Sequence, residues 1–410
     1  MLGVIADDLT GAMDAAGLAR RRGIAVSVAF GMSPPASGAA VHVCALKIRT
    51  APVDEAVGQA LEAAQMLCAH GAKRIFFKYC STFDSTPEGN IGPVAKALVA
   101  KLGAGQVVFA PSFPENGRTV FHGHMFVGDR LLSQSSLATH PLTPMTDPDL
   151  VRVLAAQSSG SQVVNLPLAV IEDGAQAIAR WRDDQPQSGL FIVADAVADR
   201  HLEALGKAFA DDVLTTGGSA FCGELVPEAA QASSSYAGPP EGGRGAVIAG
   251  SCSQATRQQL AEIEKVAPVL RLDPAALLSA PGLPERLARE ALSGSAPIVI
   301  ASTAAPNAVA AARDAIGANV GEQIEAALGQ VAVELAKGGI TRFVIAGGET
   351  SGAVASALGA STFDVGEEIA PGVPWARMAS EIPRDFAFKS GNFGGPDFFL
   401  EALGMQKVAA

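Results

Sequence analysis

Leu2-Gly-Val-Ile-Ala6 runs straight into Asp7-Asp8-Leu-Thr10-Gly11, and this junction decides the fold. The first five residues read as a short buried strand. The residues Gly11–Arg22 that follow read as a helix, ended by Gly23 at the C′ position. In an open α/β sheet, ligands bind beyond the carboxyl ends of the strands. Two adjacent acids at such an end would repel a phosphate. They can accept hydrogen bonds from hydroxyl groups or take a proton from one. A plainer role is also open, because Asp8 or Thr10 could simply cap the helix.

Outward from this junction, apolar runs alternate with helix-like segments along the whole chain, which argues for α/β layers. Ile24–Phe30 reads as the next strand. Val53–Ala69 places Val53, Val57, Ala60, Ala64 and Leu67 on one helix face, with Pro52 suited to its first turn. Arg74–Lys78 and Gln106–Ala110 look like buried parallel strands. A Ser-, Gly- and Pro-rich break falls at Ala232–Gly245, after which the alternation restarts with Ala246–Ala249, Pro297–Ala301 and Thr341–Ala346. Glu322–Lys337 is a long amphipathic helix. The expected architecture is therefore α/β with two domains, residues 1–231 and 246–410, joined by a linker at 232–245. Each is expected to be a largely parallel sheet with flanking helices, with the active site in the cleft between them and the linker acting as a hinge.

Composition narrows the partners. The chain has 410 residues, 49% of them hydrophobic, which suits a folded globular protein. A net charge of -11, with no basic run longer than Arg20-Arg21-Arg22, argues against a nucleic-acid partner. Cys44, Cys68, Cys80, Cys222 and Cys252 are scattered, with no C-x-x-C pair. That favours reduced thiols over disulfides or a zinc site. No apolar stretch is long enough for a signal peptide or a membrane span, so a cytoplasmic protein with no membrane partner is expected.

Three further segments gather polar residues just after strands. Lys47-Ile-Arg49-Thr50 follows Val41–Leu46. Lys78 opens a stretch containing Ser81, Asp84, Ser85 and Thr86, with Gly89-Asn90 beyond. Pro111–Thr119 carries Arg118 and leads to His122-Gly-His124. If the strands are parallel, one edge holds Lys47, Arg49, Lys78 and Arg118 beside Asp7, Asp8 and Asp84. Cations suit a carboxylate, which Arg can grip with two hydrogen bonds, while acids and hydroxyls suit a polyol. The combination fits a small sugar acid. Each segment also has a bland reading, such as a Lys78–Asp84 surface ion pair or a helix entry at Ser85–Glu88. His122 and His124 would share a face if both lay on one strand. No third ligand accompanies them, so no metal site is expected there.

In the second half, Gly347-Gly348-Glu349-Thr350-Ser351-Gly352 separates a strand from a helix at Ala353–Leu358. Glycines let a backbone approach phosphate closely, and a helix N-terminus offers free amides. Glu349 suits Mg²⁺ or its waters better than a phosphate. Ala249–Ser253, which contains Ser251, and Lys389–Gly395, which contains Gly391, could complete a nucleotide site. The P-loop, the dinucleotide fingerprint and the protein-kinase signatures are all absent from the sequence.

With these blocks in place, the chain resembles the four-carbon acid sugar kinase family over nearly its full length. The resemblance rests on Ile5–Asp14, Lys47-Ile-Arg49, Phe77–Pro93, Gly347–Gly352 and Lys389–Gly394. Cys80–Thr86, Pro111–Val127 and His140–Asp147 resemble the 3-oxo-tetronate branch in particular. The resemblance implies an N-terminal sugar-acid domain, a C-terminal ATP domain, and phosphorylation of the C4 hydroxyl of a 3-oxo-tetronate using ATP and Mg²⁺. It puts ATP contacts on Ser251, on Gly347, Gly348, Glu349 and Thr350, and on Gly391. Asp8 and Asp84 are the candidate catalytic carboxylates. Asp7, Lys47, Arg49, Lys78, Ser81, Ser85 and Arg118 are the candidate substrate-binding residues. A threonate or erythronate kinase, or a non-catalytic sugar-acid sensor, is the alternative. A homodimer is compatible with the family.

Overall fold

The polypeptide begins as the sequence leads one to expect. β1 (Leu2–Ala6) is buried at every position, as a strand covered by helices on both faces must be. The computed structural model describes residues 1–35, 38–139, 143–226, 236–240, 242, 244–280, 282–303, 317, 319–378 and 380–405. The chain divides into two units, Met1–Ser233 and Ser234–Ala410.

In the first unit, β1 leads to α1 (Leu9–Arg21), then β2 (Val26–Phe30), β3 (Val41–Ala45), α2 (Val53–Ala69), β4 (Arg74–Lys78), α3 (Ile91–Leu102) and β5 (Gln106–Ala110). A small antiparallel sheet of β6 (Arg118–Phe121), β7 (His124–Val127) and β8 (Arg130–Leu131) interrupts the alternation. The chain resumes with α4 (Leu150–Gln157), β9 (Gln162–Leu166), α5 (Leu168–Glu172), α6 (Ala175–Asp183), β10 (Leu190–Ala194), α7 (Asp199–Ala208), β11 (Leu214–Gly217) and α8 (Ser219–Glu224). The main sheet runs β2-β3-β1-β4-β11-β5-β10-β9, and all its pairings within the unit are parallel. The chain leaves β1 toward β3 on one side and β4 on the other. The crevice beyond β1 is therefore a topological switch point, where ligand sites form.

The second unit repeats this logic. It comprises β12 (Gly245–Ala249), α9 (Gln254–Ile263), β13 (Val269–Arg271), α10 (Pro274–Ser279), α11 (Leu283–Ser293), β14 (Ile298–Ala301), α12 (Val320–Lys337), β15 (Arg342–Ala346), α13 (Gly348–Ala357), β16 (Thr362–Ala370), β17 (Val373–Met378), β18 (Arg384–Lys389) and α14 (Phe398–Ala402). Its strands run β13-β14-β12-β15-β18-β17-β16. The first four pairings are parallel, and β17 is antiparallel to both β16 and β18. The switch point here is β12, flanked by β14 and β15.

Two expectations shift. α13 begins at Gly348 and not at Ala353, because the glycines enter the first turn directly. His122 and His124 do not share a strand. His122 (φ 49°) and Gly123 (φ 71°) form the two-residue turn between β6 and β7, which needs positive φ at both positions. Part of the expected linker, 232–235, 241 and 243, lies outside the described residues, as do 140–142 of the His140–Asp147 block. The described stretch 236–240 is pinned to the second unit. The Tyr236 hydroxyl donates to Asp385 at 2.8 Å, the Arg377 fork holds the same carboxylate, and the Glu367 amide donates to the Ala237 carbonyl at 2.7 Å. Among the described residues, no helix is long and apolar enough to cross a membrane, and none of the five cysteines is in a disulfide.

Candidate active site and nucleotide cradle

At the switch point of the first unit, the strand ends deliver an ion-pair cluster. The Asp7 amide donates to the Lys78 carbonyl at 3.0 Å, and the amides of Ile48 and Arg49 donate to the Asp7 carbonyl. These backbone bonds tie the ends of β1, β3 and β4 together. Arg49 grips Asp7 with both arms of its fork, Nε to Oδ2 at 2.8 Å and Nη2 to Oδ1 at 3.0 Å. Nη2 also lies 3.0 Å from Asp8 Oδ1. Nη1 is 3.7 Å from Asp84. Lys78, 3% exposed, approaches Asp8 at 3.9 Å. Gly11 makes this possible, since a Cβ there would collide with the Lys78 ammonium and the Asp8 carboxylate.

Asp8 is both helix cap and cluster member. It accepts from the Gly11 amide at 2.9 Å and from the Thr10 hydroxyl at 3.0 Å. The two neighbouring acids are pushed in opposite directions. Burial raises the Asp7 carboxyl above the ordinary value, against the pull of Arg49. Burial also acts to raise Asp8, but Arg49, Lys78 and its two hydrogen-bond donors outweigh it and hold the carboxyl below the usual value.

Beside the cluster is an open cavity of about 460 Å³ whose lining includes Arg49, Asp84, Ser85, Thr86 and Asn90. The Asn90 amide fixes one wall by donating to the carbonyls of Ile48 at 2.7 Å and Ala51 at 2.8 Å. Thr82 donates to Asp84, and burial pushes the adjacent Cys80 thiol up to about 12, so it stays protonated. The structure thus brings together Asp7, Asp8, Arg49, Lys78 and Asp84, with Ser85 on the cavity wall. Ser81, two residues after Tyr79, lies in the same loop, half-buried. Lys47 is exposed on the β3 loop. Arg118 starts β6 and donates to the Asn116 carbonyl within its own loop. Arg49 carries a role that its sequence position alone does not reveal, because its fork is already committed to Asp7.

The second switch point gathers glycines. The amides of Gly250 and Ser251 both donate to the Ala346 carbonyl at 3.0 Å, and the Gly347 amide donates to the Lys389 carbonyl at 2.9 Å. Gly347 has φ 124° and ψ 135°, a conformation open to glycine alone, and a Cβ there would sit 3.0 Å from Thr350 Oγ1 and 3.1 Å from the Ser251 nitrogen. A Cβ on Gly250 would meet Thr350, and one on Gly391 would meet Ser251. The Gly250–Ser251, Gly347–Thr350 and Gly391 segments therefore converge. The first intrahelical amide bond of α13 is Ser351 to Gly347 at 2.9 Å, which leaves the amides of Gly348 and Thr350 ahead of it. Glu349 is exposed in this first turn, while Thr350 and Ser351 are buried. The glycines let the three segments pack this closely, since a Cβ on any of them would meet Thr350, Ser251 or Ser253, and a glycine-rich helix start of this kind suits phosphate oxygens.

Three residues support the sites in ways the sequence did not reveal. Lys389, fully buried, donates to the Ser390 carbonyl at 2.9 Å, the Gly391 carbonyl at 2.7 Å and Thr256 Oγ1 at 3.1 Å, and burial lowers its pKa to about 7. Thr256 also donates to the Gly391 carbonyl at 2.9 Å. Gln157 holds Ser85 from the end of α4. Lys389 heads the expected segment Lys389–Gly395, two residues before Gly391, but its buried supporting role was not expected. Thr256 and Gln157 carry no sequence signal.

The architecture defines the class, a two-unit α/β protein with a cluster of acids and cations at one switch point and converging glycine-rich turns at the other. Two family models match in the same order, a sugar-binding N-terminal domain over residues 2–225 and a nucleotide-binding C-terminal domain over residues 246–399. Proteins named 3-oxo-tetronate kinase are similar along the full length. The one from Cupriavidus necator is 44% identical over 98% of this chain and 96% of its own, and the one from Methylobacterium radiotolerans is 45% identical over 99% of both. A crystal structure from Salmonella typhimurium LT2 matches with a TM-score of 0.88 at 39% identity, covering 99% of each chain. One from Haemophilus influenzae matches at 0.79 and 36%, covering 98% of this chain and 99% of that one. The chain belongs to the four-carbon acid sugar kinase family.

Proposed function

We propose that this protein is an ATP-dependent kinase that phosphorylates the C4 hydroxyl of a 3-oxo-tetronate. The observation that carries the reading is the Asp7–Asp8–Arg49–Lys78 cluster at the first switch point, beside a cavity bordered by Asp84 and Ser85. Full-length similarity to named 3-oxo-tetronate kinases supports the substrate class.

ATP supplies the transferable phosphoryl group, and Mg²⁺ shields its charge. Among the described residues, no cluster of three or more His, Cys, Asp or Glu side chains suits a metal. Glu349, in the first turn of α13, is the residue that would hold the ion or its waters, and the ion would offset phosphate charge. The amides of Gly348 and Thr350 would hold phosphate, with Ser251 and Gly391 closing the cradle. Asp8 accepts the hydrogen of the attacking hydroxyl and aims its oxygen. A weakly basic carboxylate is adequate, because phosphoryl transfer depends on positioning and charge stabilisation more than on early proton removal. Asp7 locks Arg49, whose Nη1 edge is the part of the fork not committed to Asp7 or Asp8. Arg49 and Lys78 offset the charge of the acids and favour the anionic substrate, with Lys47, Ser81 and Arg118 as outer contacts. Asp84 orients the second hydroxyl, on C2.

The test is ADP release by the purified protein across 3-oxo-tetronates, threonate and erythronate. Turnover is expected to be highest with a 3-oxo-tetronate. Preference for threonate or erythronate would move the reading to another branch of the family. Binding of sugar acids without ADP release from any of them would make the protein a sensor and overturn the proposal.

A further inference from the structure

Gln157 ends α4 and is far from Ser85 in sequence, yet it touches the cavity wall through it. Its orientation is fixed from both sides by backbone groups that have only one hydrogen-bonding sense. Oε1 accepts from the Gly92 amide at 2.8 Å, so the opposite side of the amide must be Nε2. Nε2 donates to the Thr86 carbonyl, an acceptor only, at 2.5 Å, and to Ser85 Oγ at 2.6 Å. Both Nε2 hydrogens are thereby used. Ser85 Oγ is forced to accept from Gln157, which leaves its own hydrogen to be donated. Among the described residues, no protein acceptor takes that hydrogen. Ser85 is 6% exposed and borders the cavity.

Two glycines make room for this arrangement. A Cβ on Gly89 would collide with Ser85 Oγ and come within 3.0 Å of Gln157 Nε2, and one on Gly92 would lie 2.6 Å from Gln157 Cβ. The Gly92 amide belongs to the first turn of α3, where it has no helical partner. Gln157 thus joins the start of α3, the Ser85–Thr86 strip and the end of α4 in one buried network.

We propose that Gln157 is a positioning residue that turns Ser85 into a one-way hydrogen-bond donor toward an oxygen of the sugar acid that carries no hydrogen. That oxygen is the ionised carboxylate or the 3-oxo group. The inference rests on the proposed reading of the cavity as the sugar-acid site. A hydroxyl rotor free to choose would serve a substrate hydroxyl equally well. A rotor fixed as donor favours oxo and carboxylate oxygens, since a substrate hydroxyl must still find an acceptor for its own hydrogen.

The experiment is a double-mutant cycle of Ser85→Ala, Gln157→Leu and the pair, read as KM for 3-oxo-tetronate, KM for ATP, and calorimetric binding of 3-oxo-tetronate without ATP. Ser85→Ala is expected to raise the sugar-acid KM and Kd about tenfold and to leave the ATP KM unchanged. Gln157→Leu is expected to do the same in the wild-type background and to add little once Ser85 is gone. Inhibition constants for threonate locate the oxygen. An equal loss for threonate and 3-oxo-tetronate points to the shared carboxylate, and a loss confined to 3-oxo-tetronate points to the oxo group. Equal effects of Gln157→Leu with and without Ser85 would overturn the proposal, as would a Ser85→Ala variant that binds both acids like wild type. Should Gln157→Leu fold poorly, Ser85→Ala and Ser85→Thr carry the test alone, with Thr, which keeps the hydroxyl, expected to retain more affinity than Ala. Wild-type protein that binds 3-oxo-tetronate but releases no ADP would sink the kinase reading and leave this inference to the binding data.

Discussion

Asp8 performs two tasks with one carboxylate, and the substitution that separates them is Asp8→Asn. Asn keeps an oxygen for the Gly11 amide and so preserves the cap of α1. What it removes is the charge facing Arg49 and Lys78. Turnover is expected to fall on the order of 100-fold or more, while the ATP KM stays put. The same variant has a pH signature. The Asp8 pKa is lowered in the folded protein, so its contribution is full above the unfolded value of 3.8 and is lost as pH falls through the lower folded value. The stability gap between wild type and Asp8→Asn, about 1.5–3 kcal/mol for a charged hydrogen-bonding group, should therefore be flat near neutrality and close in strong acid. Denaturant melts across pH 2–7 measure it, and a gap that widens on acidification contradicts the assignment. The sequence made the cap and the acid pair legible together. It did not reveal that Arg49 would be held by Asp7, because that contact is made by a loop 42 residues away.

At the scale of elements, the start of α13 matters most. Gly347 needs φ 124°, which a β-branched residue resists, and its Cβ would crowd Thr350 and Ser251. Gly347→Val should raise the ATP KM at least tenfold, with the sugar-acid KM little changed. Lys389 acts one layer deeper by holding the Gly391 carbonyl inward. Lys389→Met removes its three hydrogen bonds and should raise the ATP KM about tenfold. A wild-type ATP KM in either variant would remove that residue from the cradle. Strand positions were legible because parallel strands buried on both faces are continuous apolar runs. Val53–Ala69 was legible as a helix, but its buried face is Ala56, Ala60, Ala63, Ala64 and Leu67, with Val53 exposed and Val57 half-buried, so the expected stripe was turned toward the wrong edge. β11 was not, since Leu214-Thr-Thr-Gly217 lacks an apolar run and becomes a strand only between β4 and β5. Gln157 was equally silent, its partner Ser85 lying 72 residues away.

For the whole molecule, each unit carries a switch point, and the proposed function puts one half of the chemistry at each. The acid cluster lies at β1 and the glycine cradle at β12. Defects should therefore sort by unit, with Asp8→Asn and Ser85→Ala altering turnover or sugar-acid affinity, and Gly347→Val and Lys389→Met altering ATP affinity. Calorimetric titration of ATP into Asp8→Asn should give the wild-type constant, and a large loss there would contradict the division.

The central claim is that a phosphoryl group passes from ATP to the terminal hydroxyl of a 3-oxo-tetronate. The ³¹P spectrum of the product tests it directly. A phosphate ester on a CH₂ group is split into a triplet by its two neighbouring protons, and that triplet is predicted to grow as ATP is consumed. A singlet of inorganic phosphate, or a doublet from an ester on a CH group, would contradict the account.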